Sequence, residues 1–67
     1  MSILEELRRK KGLTQRELGK LVGASQNTVS QWESGAYLPP TAKLILLSRI
    51  LSASTDKILG LGGETPA

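Results

Sequence analysis

Apolar residues recur three and four positions apart along most of the chain, the spacing that places them on one face of a helix. Ile3, Leu4 and Leu7 share an arc of a first helix that runs to about Lys11, and Gly12 supplies a left-handed cap. Thr14-Gln15-Arg16-Glu17 has the form of a capping box, in which the Thr hydroxyl takes the Glu amide and the Glu carboxylate reaches back. It opens a short second helix with Leu18, Leu21 and Val22 facing inward, closed by Gly23. Ser25 starts a third helix, Gln26 to about Ser34, with Val29 and Trp32 as its apolar positions and Gly35 at its end.

Tyr37-Leu38-Pro39-Pro40 cannot extend that helix, because the two prolines remove donors and fix the backbone. Thr41 is the expected N-cap of a fourth helix carrying Leu44, Ile45, Leu47, Ile50 and Leu51. Ser54 caps a last short turn, where Asp56 suits the positive helix end and Ile58 and Leu59 pack inward. Strand-like alternation and internal repeats are both lacking. The pattern predicts an all-α fold, a compact bundle of five short helices over residues 1–60, followed by a flexible C-terminal tail or linker stub over 61–67.

The window from Gln15 to Ser34 is the most informative. Its two helices are joined by Val22-Gly23-Ala24-Ser25, too short a link for an antiparallel pair, so they must cross steeply. Leu18, Val22, Ala24, Val29 and Trp32 take the buried positions, Gly19 is small where the helices pass closest, and Gly23 provides a positive φ. Helices 2 and 3 therefore read as a helix-turn-helix.

Projected at about 100° per residue, Gln26, Asn27, Ser30, Gln31 and Ser34 fall within an arc of roughly 140°, opposite Val29 and Trp32. That outward face is polar yet uncharged. Solvated helix faces usually carry Lys and Glu, which are better helix formers and keep surfaces soluble. Amide side chains instead match the N6 and N7 edge of adenine in the major groove. Gln15, in the first turn of the second helix, sits where free amides and the helix dipole hold a phosphate. Arg16 and Lys20 lie on the same helix, and the hydroxyls of Thr28 and Ser34 are in position to reach a DNA backbone. Ser25 completes the candidate DNA-binding set. Lys43 reads equally as a phosphate contact or as an ordinary solvated lysine.

Composition narrows the classes. The 67 residues contain no Cys and no His, which removes disulfides, thiolate nucleophiles, the usual general base and the commonest metal ligand. No catalytic residue, metal site, cofactor or small-molecule substrate is expected. No apolar run approaches the roughly 20 residues needed to span a bilayer, so no membrane partner is expected either. The net charge of +3 is unevenly placed: six bases face three acids within residues 1–20, and three face three thereafter. The run Arg8-Arg9-Lys10-Lys11 fits a phosphate-facing edge or a solvated helix end equally. Arg8 flanks the apolar arc of the first helix and Glu33 edges the buried face of the third. They read as two unrelated surface charges or as a structural ion pair that fixes the angle of the third helix.

These residues resemble the small helix-turn-helix DNA-binding domains of phage repressors of the lambda repressor and Cro type, the XRE-like regulators. The match runs from about Ile3 to Leu59. It is carried by Leu7-Arg8, Gly12-Leu13-Thr14-Gln15, Glu17-Leu18, Val22-Gly23-Ala24-Ser25, Val29 through Gly35, Pro40, the leucine-rich fourth helix and Ser54-Thr55-Asp56. The resemblance implies phosphate binding by Gln15, base contacts from Gln26, Asn27 and Gln31, an Arg8–Glu33 pair and a backbone contact near Ser34. It also implies a homodimer on a two-fold operator in double-stranded DNA, acting as a repressor in the cytoplasm, at the nucleoid, of a bacterium or phage. Leu59 and Leu61 are the candidate dimer contacts. Two features depart from the pattern: the loop Ala36-Tyr37-Leu38-Pro39 is not basic, and Ser52 stands where a helix-ending glycine is common. The alternative is a protein-interaction module, such as an antitoxin or a regulator subunit, which would favour aromatic anchors over a polar third helix.

Overall fold

Among the described residues, four of the five helices begin at a hydroxyl residue whose side chain accepts a backbone amide that the helix itself leaves free. Ser2 takes the Glu5 amide ahead of α1 (Ile3–Lys10), and Thr14 takes the Glu17 amide ahead of α2 (Gln15–Val22). Ser25 takes the Thr28 amide ahead of α3 (Gln26–Ser34), and Ser54 takes the Lys57 amide ahead of α5 (Thr55–Ile58). The capping box closes in both directions, with Glu17 Oε1 accepting the Thr14 amide at 2.8 Å and Thr14 Oγ1 accepting the Glu17 amide at 3.0 Å. The structure is a computed structural model that describes residues 2–59. The tail expected over 61–67, with Leu61, lies outside those residues.

The exception is α4 (Thr41–Leu51). Thr41 is its first helical residue rather than its cap; Pro40 holds the cap position, and no side chain hydrogen-bonds there. Pro40 already has the extended ψ of a cap, 158°, with its carbonyl accepting from Leu44 at 2.9 Å, so helical geometry begins one residue earlier than the sequence suggests. At the other end Ser52 adopts the left-handed conformation, φ 55° and ψ 45°, the one non-glycine residue to do so among those described.

Leu4, Leu18, Val22, Val29, Trp32, Leu47, Leu51 and Ile58 form one continuous core drawn from all five helices. Burying each such side chain contributes about 1.5–3 kcal/mol, which is how helices this short, marginal alone, are held in place. Leu7, Leu13, Ala24, Leu44, Ile50 and Ala53 pack around that core. One residue expected inside, Leu21, is not, and Ile45 of the fourth helix is exposed as well. Leu21 is 55% exposed and Ile45 46% exposed. On α2 the pair Leu18 and Val22 fills the inward stripe, and Leu21 falls on the flank. On α4, Leu47 and Leu51 take the same role and leave Ile45 outside. Strands are absent among the described residues, and no described helix is long and apolar enough to cross a membrane.

Candidate nucleic-acid interface

The turn between α2 and α3 rests on one close approach. A Cβ at Gly19 would lie 2.4 Å from the carbonyl oxygen of Ala24, so only glycine lets the turn fold back this tightly. Gly23 turns the chain with φ 73°, and the Ala24 amide donates to Gly19 O at 2.8 Å. From there α3 packs most extensively on α2 and also touches α1.

The contact to α1 is polar. Arg8 Nε donates to Glu33 Oε2 at 2.6 Å and Arg8 Nη2 to Oε1 at 3.3 Å, while Nη1 donates to the Leu13 carbonyl at 2.7 Å. The Arg8 and Glu33 side chains are only 9% and 6% exposed, so the pair is nearly buried rather than a surface contact. The Glu33 hydrogen bond holds the Arg8 guanidinium above its already high ordinary pKa, against the opposing pull of burial. Gln15 Nε2 also donates to Glu33 Oε1, at 2.9 Å. One carboxylate therefore ties the start of α2 and the last turn of α1 to the end of α3. The sequence spacing suggested the arginine partner; the glutamine partner lies 18 residues away and is visible only in the fold.

The outward face of α3 has the composition expected of it. Gln26, Asn27 and Ser34 are exposed, and Ser30 and Gln31 are half-buried. Among the described residues the side chains of Gln26, Asn27, Ser30 and Gln31 make no hydrogen bond, so their donors and acceptors are available to a ligand. The hydroxyls are more committed. Ser25 Oγ and Thr28 Oγ1 lie 2.9 Å apart, and Ser25 Oγ also accepts the Thr28 amide. Ser34 Oγ donates to Gln31 O at 3.1 Å and accepts the Ala36 amide at 3.3 Å.

Arg9, Thr14, Gln15, Arg16 and Gln26 line one open groove, which brings the starts of α2 and α3 to the same face. Arg16 is exposed there. The basic run of α1 divides by function: Arg8 turns inward to Glu33, Arg9 pairs with Glu5 at 2.8 Å, and Lys10 and Lys11 are exposed. Lys20 is exposed on α2. Lys43 is not an ordinary solvated lysine: its Nζ donates to Val22 O at 2.6 Å and approaches Gly23 O at 3.5 Å.

A helix-turn-helix family matches residues 4–58. An uncharacterized HTH-type transcriptional regulator of Bacillus subtilis, YobD, is 34% identical over 58 residues, covering 87% of this chain and 52% of its own length. The HTH-type transcriptional activator BcrR of Enterococcus faecalis is 36% identical over 56 residues, 84% of this chain and 28% of its own. Repressor protein C2 of Salmonella phage P22 is 40% identical over 52 residues, 78% of this chain and 24% of its own. The chain thus spans about half or less of the curated relatives it matches. The crystal structure of the P22 c2 repressor in complex with synthetic operator 9T superposes with a TM-score of 0.78 at 34% identity, covering 91% of this chain and 97% of that one. These relatives are transcriptional regulators rather than enzymes. With its tight turn folded against Gly19 and its all-helical frame shared with a repressor, the chain belongs to the helix-turn-helix family, of the Cro/C1 or XRE-like type.

Proposed function

We propose that this domain, residues 1–60, binds double-stranded DNA sequence-specifically as a transcriptional regulator, with α3 entering the major groove. The observation that carries the proposal is the outward face of α3, where Gln26, Asn27, Ser30 and Gln31 have no partner among the described residues and no charge. Side chains that specify a base need free donors and acceptors, and these four have them. Gln15, Arg16, Ser25, Thr28 and Ser34 border that face and hold the phosphates on either side, by side chain or by backbone amide. The amides of Gln15 and Arg16 open α2 without a hydrogen bond among the described residues, which leaves them free for an anion.

In this reading the protein is a cytoplasmic repressor that binds as a homodimer to a two-fold operator, its half-sites about one helical turn apart. The P22 repressor structure, determined on operator DNA, supports the DNA-binding part of that reading. The test is selection from a random duplex pool followed by affinity measurements over a range of salt. A recovered two-fold consensus, bound far more tightly than random DNA and with a steep salt dependence, is the expected result. Binding without sequence enrichment, or none at all, would overturn it and favour a protein-interaction module.

A further inference from the structure

We propose that Lys43 is a positioning residue for the recognition helix: its ammonium latches α4 onto the carboxyl end of α2 and so fixes the turn from which α3 departs. The last carbonyls of a helix lack partners within it and carry the negative end of its dipole, which makes them a natural seat for a cation. Lys43 Nζ occupies that seat, donating to Val22 O at 2.6 Å and lying 3.5 Å from Gly23 O. A Cβ built at Gly23 would stand 3.1 Å from the same nitrogen, so the ammonium lies directly against the left-handed residue of the turn. Lys43 is half-buried in this position, with its stem laid along the fold and its head spent on the protein backbone.

The latch has a geometric consequence. Apolar packing fixes how far α3 stands from α2, and the Arg8–Glu33 pair anchors its carboxyl end to α1. Its amino end follows a link of three residues, Gly23-Ala24-Ser25, whose fixed points are Gly19 on one side and Lys43 on the other. Gln26 and Asn27, the first two residues of α3, hang directly from that link. The short contact of the ammonium is to the backbone of the turn, and the same side chain lines an open groove with Ser25, Thr28 and Gln31. In this proposal Lys43 acts on base readout through the turn rather than as a direct phosphate contact.

The inference rests on the DNA-binding reading, and two measurements keep the two separable. The first compares wild type, Lys43→Met, Lys43→Arg and Arg16→Ala on a selected duplex and on random DNA across salt. The second follows amide hydrogen exchange at Gly23 and Ala24 in the absence of DNA. Lys43→Met should lower the selected-to-random affinity ratio about three- to tenfold, with the salt slope of wild type, and Lys43→Arg should recover part of the loss. Exchange at Gly23 and Ala24 should rise several-fold in Lys43→Met and not in Arg16→Ala. A Lys43→Met variant that weakens both duplexes alike, with the slope reduced by about one, would make Lys43 a phosphate contact and overturn the latch. An unchanged affinity ratio would overturn it as well. Should the wild type select no sequence, the DNA-binding reading fails by itself and exchange alone decides; unaltered protection in Lys43→Met then rejects the latch.

Discussion

Arg8 Nε and Glu33 Oε2 lie 2.6 Å apart across 25 residues of sequence, and both side chains are nearly buried. Removing one member strands the other, and a stranded buried charge is costly where a missing pair is not. Arg8→Leu should lower the unfolding free energy by about 3 kcal/mol, softened by the hydrogen bond that Gln15 continues to give Glu33. The double variant Arg8→Leu/Glu33→Leu should recover at least about 1 kcal/mol of that loss in urea unfolding. Simple additivity would show that the two side chains are not coupled. Because the arginine pKa is raised, its contribution is fully present below its ordinary value and disappears only above it. Titration through neutral and mildly alkaline pH should leave the pair intact.

Base readers and phosphate holders should separate in a salt series. Gln31→Ala is expected to cost about 1–3 kcal/mol on the selected duplex and little on random DNA, with the wild-type slope. Arg16→Ala should weaken both duplexes and reduce the slope by about one. Equal losses on both duplexes for Gln31→Ala would remove it from the base-reading set.

Gly19→Ala should destabilise the fold by about 1–3 kcal/mol even though alanine is the better helix former. The added methyl meets the Ala24 carbonyl at 2.4 Å, and that obstacle is backbone, which cannot rotate away as a side chain would. Chemical unfolding measures the loss. A stability equal to or above wild type would mean that the turn leaves Gly19 more room than this geometry gives.

Ser52→Gly should do the opposite. Ser52 sits at φ 55°, a conformation that costs a residue with a Cβ about 1 kcal/mol and glycine almost nothing. Its one side-chain contact, from Lys11 Nζ at 3.4 Å, is exposed and adds little. Thermal unfolding should move up by roughly 4–8 °C for that 1 kcal/mol. A lower Tm would show that the hydroxyl has a role the contact length conceals.

Where structure is decided within four residues, the sequence is a good guide. Thr14 with Glu17, Ser25 with Thr28 and Ser54 with Lys57 are caps whose partners lie three residues on, and all form as expected. The uncharged composition of the α3 face and the small residue at Gly19 were legible for the same reason, since each follows from helical periodicity. Thr41 shows the limit: a good capping residue was displaced because proline at position 40 already had the required backbone. Leu21 lies on the flank rather than inside because periodicity gives a broad apolar arc, while a bundle of this size covers only its centre. The partnerships of Lys43 with Val22 and of Gln15 with Glu33 span 21 and 18 residues. No local rule encodes such distances; they exist only once α4 lies beside α2 and α3 folds back on α1.

The side chains at 26, 27, 30 and 31 contribute nothing to the core, which α3 supplies through Val29 and Trp32 alone. On the proposed reading, recognition and folding are thus written in different letters of the same helix. At the exposed Gln26 and Asn27, substitutions usually change stability by less than about 0.5 kcal/mol, so that part of the face can vary almost without penalty to the scaffold. On the same proposed reading, exchanging the amides at 26 and 27 alters the target sequence and leaves the fold intact.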